Sequence, residues 1–161
     1  MLEGHHYQNA YVTRNRDKWI EAFRERAKVD RVITYEGSTP VELPEGAGSQ
    51  TNKLAFIWVG DLQYELIQPV SGSVRIYSDA LPADDGLRFH HICMRVPDWQ
   101  AFRERVSQQP LPVVLEGGGE SLRFLYLDAR AFLGHYIEYT WMTDERWMQM
   151  GGPSSPRAAQ C

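Results

Sequence analysis

Ala22-Phe23-Arg24-Glu25-Arg26 recurs 79 positions later as Ala101-Phe102-Arg103-Glu104-Arg105, an offset close to half of the 161-residue chain. Five matched residues can arise by chance, so the flanking sequence decides whether this is a structural repeat. Each copy follows a strand-like run that ends in helix-capping residues. Gln8 to Arg14 leads to Asn15 and Asp17, and His91 to Val96 leads to Pro97 and Asp98. Asn and Asp side chains accept a hydrogen bond from the free N–H groups of a first helical turn. Trp19, Ile20 and Phe23 in one copy, and Trp99, Phe102 and Val106 in the other, follow helical apolar spacing.

Moving outward, three strand candidates follow each helix. In the first half they are 31–35, 52–59 and 62–68, the last two joined by a tight Gly60-Asp61 turn. In the second half they are 112–115, 121–128 and 135–141, with Gly117-Gly118-Gly119 and 129–134 as connections. The Gly-, Pro-, Ser- and Glu-rich stretch 37–50 reads as a long loop. The pattern predicts an α+β protein of two tandem βαβββ modules, 8–69 and 89–141, joined by a linker at 70–88. Together they form a single domain over 1–150, with 151–161 as a disordered tail. Neither half can bury its sheet alone. Two sheets set edge to edge curve into an open barrel whose concave side faces a ligand.

Composition excludes several function classes. A net charge of -4 argues against a nucleic-acid or anionic-membrane partner. No apolar run approaches the roughly 20 residues of a membrane span. Residues 1–9 lack the apolar segment of a secretory leader. Cys93 lies in a strand-like run and Cys161 ends the chain, so a reduced, cytoplasmic setting is expected.

Strand parity then selects side chains. Gln63, Glu65 and Ile67 share one face, and Tyr136, Glu138 and Thr140 share a face of the last strand. A lone Glu in a strand usually points to solvent, because burying it unpaired is costly. Here two occupy matching repeat positions. His91 opens the first strand of module two, sharing its face with Cys93 and Arg95, while His90 falls on the opposite face by parity. Gln8 stands seven residues before Asn15, as His91 stands seven before Asp98, with Asn9 the alternative if the register slips.

Three segments carry a family resemblance. Tyr64-Glu65-Leu66-Ile67-Gln68-Pro69, Phe89-His90-His91-Ile92 with Val96-Pro97-Asp98, and Gly134-His135-Tyr136-Ile137-Glu138-Tyr139 resemble the signature strands of the vicinal oxygen chelate, or glyoxalase/bleomycin-resistance, superfamily. The layout is most similar to methylmalonyl-CoA epimerases and related glyoxalase-like proteins. The resemblance implies a divalent cation (Mn, Co, Ni, Fe, Mg or Zn) held by Gln8, Glu65, His91 and Glu138 on the concave face. It implies a lyase, isomerase or epimerase that stabilises an enolate or enediolate of a small carbonyl or acyl-CoA-like substrate. Glu65 or Glu138 would move the proton. Gln8 departs from the family's usual His and is a weaker donor; His5 and His6 are nearby substitutes. Two other chemistries exist in the superfamily. One is metal-free small-molecule binding, with Tyr11, Phe56, Trp58, Phe124, Tyr126 and Trp141 as candidate pocket walls. The other is ring-cleaving dioxygenation, which requires a second His. Family members commonly form homodimers, for which Trp19, Trp99 and Trp147 are candidate covered residues.

Overall fold

The computed structural model describes residues 3–153. Eight strands close into one barrel in the order β1-β4-β3-β2-β6-β7-β8-β5. They are β1 (His5–Val12), β2 (Arg31–Leu43), β3 (Gly46–Val59), β4 (Leu62–Gly72), β5 (Arg88–Arg95), β6 (Val113–Gly118), β7 (Leu122–Leu127) and β8 (Tyr136–Met142). Helices α1 (Arg16–Arg26) and α3 (Trp99–Val106) follow β1 and β5. Short helices α2 (Arg75–Ser78), α4 (Arg130–Leu133) and α5 (Asp144–Gln149) fill connections and the end. The fold is an α+β curved sheet closed into a barrel.

The two halves repeat the same wiring. β1 pairs in parallel with β4, as β5 does with β8, and β1 and β5 meet antiparallel at the centre. At the other seam β2 meets β6 only through Val41–Gly117 and Glu42–Glu116. The barrel is therefore tightly stitched on one side and splayed on the other.

Each long helix is capped as its sequence predicts. Asn15 accepts from the Lys18 N–H and Asp98 from the Ala101 N–H. Each covers the outer face of its own module. Ile20 packs with Ala55, Ile57 and Leu66, whereas Phe102 and Val106 pack with Leu125, Leu127, Ile137 and Tyr139. Alternation along β3 sends Ala55 and Ile57 outward to α1 and leaves the even-numbered residues facing the cup.

Two expectations change. The 37–50 segment is not a loop: β2 and β3 form a long hairpin paired from Arg31–Trp58 to Leu43–Gly46. Each strand satisfies the other's backbone, so Gly, Ser and Thr there need no propensity of their own. Pro40 is tolerated because β2 has no second neighbour until Val41. Within the 70–88 linker, β4 continues to Gly72 and α2 follows. Gly72 has φ 80 at the exit, where a Cβ would lie 2.2 Å from the Ser49 carbonyl oxygen, so only glycine fits. Trp147 is not available to a partner. It is 6% exposed, against Tyr7 and Trp58. In the expected tail, the Pro153 carbonyl accepts from Trp147 Nε1. Residues 154–161 of that tail, with Cys161, lie outside the described residues.

Candidate metal centre

Strand register identifies the equivalent positions. Ala10 pairs with Glu65 and Cys93 with Glu138, so the residues two positions earlier, Gln8 and His91, occupy matching places. Each is preceded by a bulge. The β1–β5 register skips Tyr7 and, symmetrically, His90. A bulge adds one residue to one strand and re-aims the side chains around it. It corrects the parity expectation for His90, which is not turned away from His91. It lies against it, ring centroids 5.1 Å apart.

Glu65, His91 and Glu138 converge, and one ligand atom from each lies within 4.8 Å of the others. His91 Nε2 is 3.1 Å from Glu138 Oε2 and 3.6 Å from Glu65 Oε2. All three are buried in the described structure, with His91 fully so. Gln8 donates from Nε2 to Gln63 Oε1 at 2.6 Å, while its Oε1 is buried without a partner. Gln8, Glu65 and Glu138 line one cavity of about 490 Å³. His5 and His6 are exposed, and His6 bonds to Gln8 O and Asn9 Oδ1 instead of entering the cup.

The electrostatics follow from burial and proximity. Burial raises the Glu65 carboxyl, opposed by its hydrogen bond to His91 and reinforced by the Glu138 charge. Burial alone would lower His91, but hydrogen bonds to Glu138 and Glu65 lift it to about 9. His90 goes the other way, to about 3, through burial and the neighbouring His91 charge. His90 Nε2 lies 2.8 Å from the Ile76 carbonyl, which can only accept, so Nε2 carries the hydrogen and Nδ1 is left as an acceptor. His91 Nδ1, 2.8 Å away, must then donate. Deprotonated His91 therefore presents the Nε2 lone pair toward the two carboxylates. This is how an imidazole ligand is oriented by a partner on its other nitrogen.

Several residues at this site escaped the sequence reading. Tyr77, from the supposed linker, donates to Tyr126 at 3.2 Å, and the Tyr126 hydroxyl is 3.5 Å from His91 Nε2. Gln50, Asn52 and Gln63 also line the cavity. Asn52 already shared the Phe56 face within the 52–59 strand, and extending β3 back to Gly46 would have added Gln50; His90 and Tyr77 had no such signal. Of the aromatic candidates, Phe56, Phe124 and Tyr126 line the cup. Tyr11 and Trp141 instead pack with the outer clusters, and Trp58 sits in an inner one, bonded to the Met150 carbonyl.

Residues 7–126 match the sequence profile described as the glyoxalase/bleomycin resistance protein/dioxygenase superfamily. The chain belongs to this superfamily. Among solved structures, it is similar to methylmalonyl-CoA epimerase from Mycobacterium tuberculosis, with TM-score 0.65, 16% identity and coverage of 92% of this chain and 97% of that one. A Streptomyces coelicolor methylmalonyl-CoA epimerase in complex with 2-nitronate-propionyl-CoA gives TM-score 0.62 at 15% identity, covering 87% and 95%. A hypothetical protein from Bacillus halodurans C-125 gives 0.62 at 16%, covering 88% and 96%. At such identities the likeness is one of fold. A search of curated proteins finds no match.

The superfamily fold explains why the donors meet. Parallel β1/β4 and β5/β8 pairs bring the first and last strands of each module to the shared β1–β5 seam. One nitrogen and two carboxylates form a donor set suited to an oxygen-preferring divalent cation, and the unpartnered Gln8 oxygen belongs to a residue lining the same cavity as the two carboxylates. A buried acceptor without a partner is costly unless something binds it.

Proposed function

We propose that the protein is a metal-dependent lyase or isomerase of the glyoxalase/epimerase type, acting on a small carbonyl or acyl-CoA-like substrate. The observation that carries this reading is the convergence of Glu65, His91 and Glu138 inside the cup. Gln8 completes the set through its orphaned oxygen.

A divalent cation held there supplies Lewis-acid stabilisation of charge developing on oxygens next to the reacting carbon. The remaining work falls to the chain. Glu138, 3.1 Å from His91, anchors the imidazole. Glu65 is less closely engaged, at 3.6 Å, and lines the cavity, which favours it as the group that takes and returns a proton. Tyr126, kept protonated by burial and the nearby Glu138 charge, offers a hydroxyl for hydrogen bonding. Leu54, Phe56 and Phe124 exclude water from the reacting face.

The test is metal analysis of purified protein followed by thermal shift with Mn, Co and Ni salts. The expected result is about one bound ion per chain and a rise in Tm, lost in His91→Ala and Glu138→Gln. Absence of binding in excess cation would overturn the reading.

A second reading, a metal-free small-molecule binder, is favoured by one observation. Protonated His91 donates from Nε2 to Glu138 at 3.1 Å and lies 3.6 Å from Glu65, so its charge offsets theirs without a metal. A small-molecule thermal shift indifferent to chelator would support it. Dimerisation and a cytoplasmic location belong to the same proposal. Partly buried Trp19 and Trp99 remain candidates for the dimer contact. Buried, unpaired Cys93 fits a reducing compartment. Light scattering at micromolar concentration reads the oligomer, and a mass of 18.5 kDa would refute the dimer. Among the described residues, no helix is long and apolar enough to cross a membrane.

A further inference from the structure

Among the described residues, three buried carboxamide oxygens lack a hydrogen-bond partner: those of Gln8, Gln50 and Asn52. All three residues line the same cavity. Their relative exposures are 3%, 6% and 5%, so water reaches them poorly. A group this buried loses its hydration on folding and recovers it only through a bound partner.

A cation accounts for Gln8 but not for the other two. Glu65 pairs with Phe56 across the β3–β4 ladder, whereas Asn52 lies four residues further along β3 and Gln50 six. Their backbones lie further along the barrel wall, but the Gln50 amide reaches back: it bonds Tyr77, whose hydroxyl is 3.2 Å from that of Tyr126, itself 3.5 Å from His91 Nε2. The Gln50 amide is therefore within about 10 Å of the His91 nitrogen, too far to share a cation and near enough for one small molecule to bridge.

The orientation of Gln50 is set by its neighbours. The Tyr77 hydroxyl donates to Tyr126, so its oxygen is left to accept from the Gln50 amide N–H. Gln50 Oε1 is thereby turned away from Tyr77. What these two oxygens need is a hydrogen-bond donor. They are neutral, electron-rich acceptors, which repel phosphate and carboxylate oxygens. The cavity lining holds one cationic side chain among the described residues, Arg146, at the α5 end. A polyphosphate tail is met elsewhere by clusters of Arg and Lys.

We propose that the cup selects a small hydroxylated carbonyl compound, whose hydroxyl-bearing arm donates hydrogen bonds to Gln50 Oε1 and Asn52 Oδ1 while its vicinal oxygens lie at Glu65, His91 and Glu138. Gln50 and Asn52 are then the specificity-determining residues, set apart from the chemistry. This rests on the metal-centre reading above, and it narrows the substrate from carbonyl compounds in general to polyol-type ones. The discrimination is of the strong kind. A site built to pair a hydroxyl rejects an analogue lacking it far more effectively than an apolar pocket rejects an extra group.

The experiment uses full-length, manganese-loaded protein and two chelating probes of equal length, butanohydroxamate and 2,3,4-trihydroxybutanohydroxamate, with affinities measured by calorimetry. The wild type is expected to bind the trihydroxy probe at least about tenfold more tightly. Asn52→Leu is expected to abolish that preference while changing butanohydroxamate affinity less than about twofold, because the chelating end is untouched; Gln50→Met is expected to abolish it with some loss of affinity for both probes, through the Tyr77–Tyr126–His91 contacts. Asn52→Leu should melt no lower than wild type, since it removes an unpartnered acceptor, whereas Gln50→Met also removes the donor to Tyr77 and should melt lower. Should Leu at 52 prevent folding, the near-isosteric Asn52→Asp retains acceptor oxygens and should retain the preference. Equal affinities for the two probes, or a preference that survives both apolar variants, would overturn the proposal. Binding of neither probe would bring down the metal reading and this one together. Binding of butanohydroxamate with no gain from the hydroxyls would bring down this one alone.

Discussion

His90 Nδ1 lies 2.8 Å from His91 Nδ1, and the two rings meet edge to face at 83°. One imidazole thus sets the tautomer of the next, and the Ile76 carbonyl sets the first. The chain of constraint runs from α2, through the bulge in β5, to the nitrogen that faces Glu65 and Glu138.

His90→Phe retains the ring volume and removes that constraint. Its expected effect is a roughly 10- to 100-fold loss of Mn or Ni affinity with the fold kept, the range typical of removing a partner that orients a metal ligand. Competition against a fluorescent chelator measures it. Unchanged affinity would show that His91 is oriented by its carboxylates alone.

Metal uptake should depend on pH through His91. With its pKa lifted to about 9, the imidazole holds a proton at neutral pH that a cation must displace. Apparent affinity is expected to rise with pH until about 9 and then level, with proton release in calorimetry across buffers of different ionisation enthalpy.

The two histidines should also leave opposite marks on the stability of the metal-free protein. His91 is raised in the folded state, so its contribution is full below the unfolded value of about 6.5 and is lost as pH rises through about 9. His90 is lowered, so its contribution is full above about 6.5 and is lost as pH falls toward about 3. Urea denaturation across pH is expected to show the alkaline decline flattened in His91→Gln and the acid decline flattened in His90→Phe.

The repeat that organises the fold is unequal in energy. Phe102 is 1% exposed, whereas Phe23 is only partly buried beside Tyr64. Phe102→Ala is expected to cost about 3–5 kcal/mol and Phe23→Ala distinctly less, because less area leaves water and a smaller void remains. Equal losses in chemical denaturation would contradict this.

Cys93 should be chemically silent in the native protein. It is fully buried, near the hydroxyls of Tyr7 and Thr140, and burial with the Glu138 charge raises its thiol. Peptide mapping after iodoacetamide treatment is expected to find Cys93 modified only when denaturant is present.

Sequence alone determined the modular plan. The Ala-Phe-Arg-Glu-Arg repeat, its capping residues and the alternation of 62–68 are local signals, readable because a helix cap or a strand face depends on nearby residues. The matched glutamates were visible for the same reason. Tertiary structure decided the rest. The 37–50 segment became a hairpin because two strands with little propensity satisfy each other's backbone across a ladder, an interaction between residues distant in sequence. Parity misplaced His90 because a bulge is set by the partner strand, where Tyr11 pairs with Phe89 and Ala10 with His91. Tyr77 reached the cup because α2 packs over β4, which no run of residues around it announces. Closure of the barrel at β1–β5 decided that Glu65, His91 and Glu138 meet and that Gln8 lines the cavity beside them, since only pairing between modules brings four strands to one seam.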